Sequence, residues 1–165
     1  MKAAKLFITV IAIGSLFTFS NCGDSKPAPE PVPDKQLRLL TQTWKLTGVT
    51  LDGVDQTTTA LQPGPYDKSK FTLTISGTKG AASFNYAVAG RPALSPWKVS
   101  GTWTFGTDPV TQMTRDPSIV TDKLDMTYSV TDPAATLSIQ FAFGKNGYPG
   151  RTDKVEGNWI FTFGL

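Results

Sequence analysis

Ser95 and Lys98 stand three residues apart in SPWK. That spacing lets a lysine activate a serine nucleophile when both side chains share one face of a helix. Pro96 and the alternating pattern after it make the stretch extended instead, which sends the two side chains to opposite faces. Serine–lysine chemistry is therefore rejected. The chain has no histidine and a single cysteine, Cys22. Ser-His-Asp and Cys-His catalysis are excluded. A zinc site would have to rely almost wholly on carboxylates, and no intrachain disulfide can form. Acidic residues such as Asp153 and Glu156 read as solvated. No catalytic residue, metal ligand or cofactor is assigned, and the expectation is a protein that is not an enzyme.

Two loops carry groups that could bind. Residues 144–154, GKNGYPGRTDK, set three glycines among Lys145, Arg151 and Lys154. Such a loop suits an anion, but it lacks the GK[ST] ending of a phosphate loop, and its turn chemistry favours a plain hairpin connection with solvated charges. Residues 52–69 exceed the two to five residues usual for a hairpin loop and form a candidate lid or contact surface. Tyr66 and Arg151 are the candidate ligand-contacting residues on these loops, and their replacement by alanine is expected to leave stability nearly unchanged. Trp44, Trp97, Trp103 and Trp159 either line a ligand cup or belong to the core. Their apolar neighbours at strand spacing favour the core.

Cys22 has a different role. It ends MKAAKLFITVIAIGSLFTFSNC, two lysines followed by a largely apolar run of about fourteen residues, the shape of a signal peptide and short for a membrane-spanning helix. Cleavage before Cys22 leaves an α-amine and a thiol, both open to acylation. The segment resembles the lipobox of bacterial lipoproteins. Ser20 fits it, while Phe19 and Asn21 depart from the usual residues in the relaxed manner of Bacteroidota-type lipoproteins. An ordinary secretory signal is the alternative, although no Ala-x-Ala cleavage site stands out. The resemblance implies a lipid attached to Cys22, with several acyl chains giving stable anchoring where one binds only marginally. It also implies a cell-envelope location at the outer membrane, on its periplasmic or surface-exposed face.

Residues 1–21 are thus read as the signal peptide and residues 22–34 as a tether. Pro27, Pro29, Pro31 and Pro33 favour an extended polyproline form reaching on the order of 35–40 Å. The formal charge of +3 owes much to Lys2 and Lys5 in the leader. The remaining body is near neutral and has no basic stripe, so nucleic acid is not an expected partner.

Residues 35–165 form the domain. Asp34 is the expected N-cap of a short helix bearing Leu37 and Leu40. The apolar period then becomes two. Phe71, Leu73 and Ile75 alternate with threonines; Phe84, Tyr86 and Val88 share a face. Trp97, Val99, Gly101, Trp103 and Phe105 form the longest run. Leu124 to Val130, Leu137 to Phe143 and Val155 to Phe163 repeat the pattern. With TWKLTGVTL at 43–51 and a weaker segment at 110–114, about eight antiparallel strands result. The expected class is all-β: an eight-stranded barrel with a short N-terminal helix, or a β-sandwich. Bulky inward residues nearly everywhere predict a filled interior.

The short helical entry, TWKLTGV, PWKVSGTWTFG, the TRDPS turn and the closing VEGNWIFTF make the body resemble the lipocalin-like (calycin-type) domains of small Bacteroidota lipoproteins. Gln42 stands where lipocalins carry the glycine of a first-strand Gly-x-Trp. The resemblance implies a non-enzymatic, membrane-anchored barrel that binds a small apolar molecule or a glycan, or presents a binding surface. The alternative is an interaction subunit of an outer-membrane complex with a protein partner and no small ligand.

Overall fold

The computed structural model describes residues 28–58, 64–144 and 156–165. Helix α1 spans Val32–Leu40. The strands are β1 Thr43–Leu51, β2 Val54–Asp55, β3 Thr72–Ser76, β4 Phe84–Ala89, β5 Ser100–Phe105, β6 Gln112–Arg115, β7 Leu124–Val130, β8 Thr136–Phe143 and β9 Gly157–Gly164. Each ring strand pairs antiparallel with its neighbours, and β1 also pairs with β9. That pairing closes an eight-strand barrel and leaves β2 as an extra strand on the flank of β1. The closed ring rules out the sandwich and is compatible with a lipocalin-like fold. Closure also removes the unpaired edges that an open sheet would leave.

The inward faces follow the period of two. Phe84, Tyr86 and Val88 are buried while Asn85, Ala87 and Ala89 are exposed, and Leu137, Ile139, Phe141 and Phe143 are buried in turn. On β1 the phase slips. Leu46 pairs with Phe163 but Gly48 pairs with Thr162, so a bulge falls between them. The extra residue turns Val49 inward in place of Gly48. A Cβ on Gly48 would sit 2.8 Å from Thr162 Oγ1, so the close approach here requires glycine.

Three expectations are corrected. The helix begins at Val32, not after Asp34; its N-cap is Pro31, and Pro33 sits in its first turn. Proline is tolerated there because the first-turn N–H groups have no helical acceptor. Asp34 lies in that turn, where its charge meets the positive end of the helix dipole. The run from Trp97 does not form one strand, since β5 begins only at Ser100. Trp97 is buried from a bend while Val99 is 60% exposed. The weak strand expected at 110–114 lies at 112–115.

The up-and-down order gives the barrel two unlike ends. Residues 77–83, 106–111 and 131–135 connect strands at one end, where α1 also packs. Asp34 Oδ2 meets Lys79 Nζ at 2.6 Å and Lys35 Nζ meets Asp132 Oδ2 at 2.7 Å, each pair joining the helix to a turn at that end. Inside it, Tyr128 donates its hydroxyl to Gln36 Oε1 at 3.3 Å and also contacts the Pro109 carbonyl. Burial pushes the Tyr128 hydroxyl far above its ordinary pKa, so it remains a donor. Trp44 Nε1 donates to the Leu40 carbonyl at 3.0 Å, satisfying an acceptor the helix end leaves free. The longer connections, 52–71, 90–99 and 116–123, lie at the opposite end, together with the ends of β8 and β9 that meet across Phe143 and Gly157.

Candidate binding end

The loop end is shut by two aromatic side chains, one from each of two loops. Tyr66 is fully buried, with ring centroids 5.6 Å from Phe71, 5.8 Å from Trp159 and 5.5 Å from Phe161. Its loop is pinned by a bridge between Thr57 and Tyr66. Trp97, 2% exposed, stands edge-on to Tyr86, Phe141 and Phe161 at 5.7, 6.0 and 5.9 Å. Ser95 ties the two together: its Oγ accepts from the Tyr66 hydroxyl at 3.1 Å and from the Trp97 backbone N–H at 3.2 Å. The expectation that replacing Tyr66 leaves stability nearly unchanged is therefore corrected, because the ring is part of the core. A long apolar ring next to an aromatic core gains more from burial than from exposure. Arg151, Cys22, Asp153 and most of the glycine-rich loop lie outside the described residues.

All four tryptophans are core residues, none more than 2% exposed. They leave little room. The interior holds a cavity of about 10 Å³ among Tyr86, Trp97, Trp103 and Arg115. A depression of about 640 Å³ lies on the outer wall of β6 to β9, open to solvent and bordered by polar side chains such as Gln112, Thr114, Asp125 and Gln140. Its rim runs from Gly106 and Thr107 at the helix end to Lys123 and Asn158 at the loop end, and its size reflects an open surface.

Below the mouth lies a charged cluster that the sequence reading did not pick out. Arg115 and Asp116 are 1% and 2% exposed. Arg115 Nη1 donates to the Pro96 carbonyl at 2.7 Å, and its guanidinium carbon lies 5.6 Å from the Trp97 ring centroid. Asp116 Oδ2 accepts from the Tyr86 hydroxyl at 3.1 Å and faces Lys98 Nζ at 3.4 Å and Arg115 Nε at 3.5 Å. Its Oδ1 accepts from the Thr102 backbone N–H at 3.1 Å. Lys98 also contacts Asp122. That contact holds the Asp122 carboxyl below the usual carboxylate range, chiefly through the hydrogen bond from Lys98.

Gly101 makes this arrangement possible. A Cβ there would lie 2.6 Å from the Tyr86 hydroxyl oxygen and would collide with Asp116 Oδ1. Asp116 itself takes φ +49°, a left-handed conformation that aspartate tolerates better than most residues. The signal in the sequence was present: the period of two places Arg115 on the same inward face as Met113. A lone inward arginine must find partners, and here the next residue supplies one.

Chemically, the cluster fastens loop 90–99 to loop 116–123. Ser95 is fully buried and Lys98 is engaged by two carboxylates, so the pair offers no accessible nucleophile. The same end also exposes apolar side chains: Leu94, Val99, Ile119 and Val120 are 46%, 60%, 48% and 93% exposed. Among the described residues no group of three or more histidines, cysteines or carboxylates is placed to hold a metal ion. Comparison of the chain with protein-family models, curated proteins and solved structures finds no significant match.

Proposed function

We propose that this chain is a non-enzymatic, lipocalin-like binding domain, held at the outer membrane of a Gram-negative envelope by lipid on Cys22, and that it binds at the loop end of its barrel. The observation that carries the reading is the division of the barrel into a helix-capped end and a loop end. The chain enters at the first, through Pro31 and Val32. The second gathers the long loops and the exposed Leu94, Val99, Ile119 and Val120. A tether arriving at the helix end directs the loops away from the membrane. The filled interior favours contact at the loops over enclosure in the barrel. Loops on a rigid barrel are the usual place for binding groups.

The exposed apolar side chains favour a second reading alongside the first, in which the occupant is a protein of an outer-membrane complex and no small ligand is involved. Small apolar molecules and oligosaccharides screened by thermal shift distinguish the two. Under the leading reading, a molecule that raises the melting temperature of the wild type loses its effect on the Val99→Ser/Val120→Ser variant and keeps it on Ile160→Ser, a change on the outer wall. Equal loss in both variants, or none in either, contradicts binding at the loop end.

A further inference from the structure

Lys98, Asp116 and Asp122 meet although they stand at the ends of three successive strands. Lys98 lies two residues before β5, Asp116 directly follows β6, and Asp122 lies two residues before β7. The Lys98 ammonium contacts Asp122 Oδ2 and stands 3.4 Å from Asp116 Oδ2. The Lys98 and Asp122 side chains are 22% and 19% exposed, and that of Asp116 is 2% exposed. An ion pair drawn this far out of water loses hydration, which narrows the gap between its charged form and the neutral amine and acid.

The backbone holds the three groups in place. The Val88 N–H donates to the Val99 carbonyl at 2.7 Å, the Asp116 N–H to the Thr102 carbonyl at 2.7 Å, and the Asp122 N–H to the Ile119 carbonyl at 2.9 Å. Asp116 is further fixed by the Tyr86 hydroxyl and the Thr102 N–H, each at 3.1 Å. Closed to an outside substrate, the Lys98 nitrogen is pressed instead against an internal electrophile. Groups fixed in this way react at effective molarities on the order of 10⁵–10⁸ M.

We propose that Lys98 and Asp122 condense to an internal amide, with Asp116 carrying the proton. Asp116 takes one proton from the ammonium, and the freed nitrogen attacks the Asp122 carboxyl carbon to form the C–N bond. The C–O bond breaks, and the oxygen leaves as water with two of the three ammonium protons, one of them returned by Asp116. The third stays on the amide nitrogen. One positive and one negative charge disappear together, and Arg115 and Asp116 remain as a matched pair. The product staples loop 90–99 to loop 116–123 across β6. The acid response of Asp122 belongs to the chain before this step. The proposal does not depend on the lipid anchor or on the binding reading.

The test takes the full chain, purified in detergent, digests it and sequences the peptides by tandem mass spectrometry. The expected product is a branched peptide that joins the segment carrying Lys98 to the segment carrying Asp122 and is lighter than the two together by one water. It should be absent from Lys98→Arg, which keeps the charge and the ion pair but has no amine to acylate. In Asp116→Asn, with folding checked by a cooperative thermal melt, the branch should be lost; its full retention overturns the role of Asp116. Only unbranched peptides from the wild type overturn the proposal as a whole. So does a one-water loss that persists in Lys98→Arg, or that maps within a single peptide as a cyclised aspartate at Asp52 would.

Discussion

The Tyr66 hydroxyl donates to Ser95 Oγ across 29 positions of sequence, joining two loops over the mouth of the barrel inside a buried aromatic layer. The contact ties Tyr66 into the core. Tyr66→Phe keeps the ring and removes the donor, and is expected to cost about 1 kcal/mol. Tyr66→Ala is expected to cost about 3–5 kcal/mol, the range for a large buried aromatic. Chemical denaturation of both variants checks this. An alanine variant as stable as wild type would place the ring outside the core.

Trp103 packs 4.7 Å from Phe84 and 5.1 Å from Phe105, centroid to centroid, and is 2% exposed. Trp103→Ala is expected to destabilise the domain by about 3–5 kcal/mol. A denaturation midpoint equal to wild type contradicts the filled interior.

Gly101→Ala places a methyl group against Tyr86 and Asp116. The collision separates the carboxylate from at least one donor, and the expected loss is at least about 1–3 kcal/mol, the cost of an unsatisfied buried polar group. Gly80→Ala serves as the control: it has positive φ but open space around it, so its backbone strain is not joined by a collision. Thermal melts should place Gly101→Ala well below the control. A Gly101→Ala melt at or above the control's contradicts the packing described for the cluster.

Acid should loosen the loop end. The Asp122 carboxyl is held below its usual range by Lys98, and Asp67 is drawn from 3.8 down to about 2 by hydrogen bonds from Ser69 and Lys70. A depressed carboxyl contributes stability that is present above its unfolded pKa and lost as pH falls through its folded value. Stability from these groups should therefore be full at neutral pH and decline from roughly pH 4 toward pH 2. Carbon NMR titration should find the Asp67 midpoint near 2, and Ser69→Ala should raise it. A midpoint at the ordinary value in the wild type counts against the turn geometry.

Replacing Cys22 by alanine should move the protein from the membrane fraction to the soluble fraction. Immunoblotting of fractionated cells reads the result. A variant that stays with the membrane at unchanged apparent mass contradicts the lipid anchor.

The barrel was legible where side chains alternate without interruption. Phe71, Leu73 and Ile75, and Leu137 through Phe143, declare their inward faces because a strand sends every second residue to one side. The slip at Gly48 was not legible, since a bulge depends on how β1 meets β9 and not on β1 alone. The break between Trp97 and Val99 was hidden for a similar reason. Both are apolar and two apart, yet the bend before Ser100 sends one inward and the other to solvent. Loop length suggested a lid at 52–69, but only the folded mouth reveals that Tyr66 has an aromatic niche waiting. Arg115 carried a readable sign in its inward register; its partners Pro96, Trp97 and Asp116 are brought to it by two separate loops.

Under the proposed reading, binding takes place at the loop end. Chemical-shift mapping with a molecule from the thermal-shift screen tests it most directly, because every described amide reports its own surroundings. Shifts are expected to concentrate in residues 90–99 and 116–123, with the helix-end residues Asp34, Lys79 and Asp132 unmoved. Shifts centred on α1 and the 77–83 turn, or on Gln112, Thr114 and Gln140 of the outer wall, would contradict it.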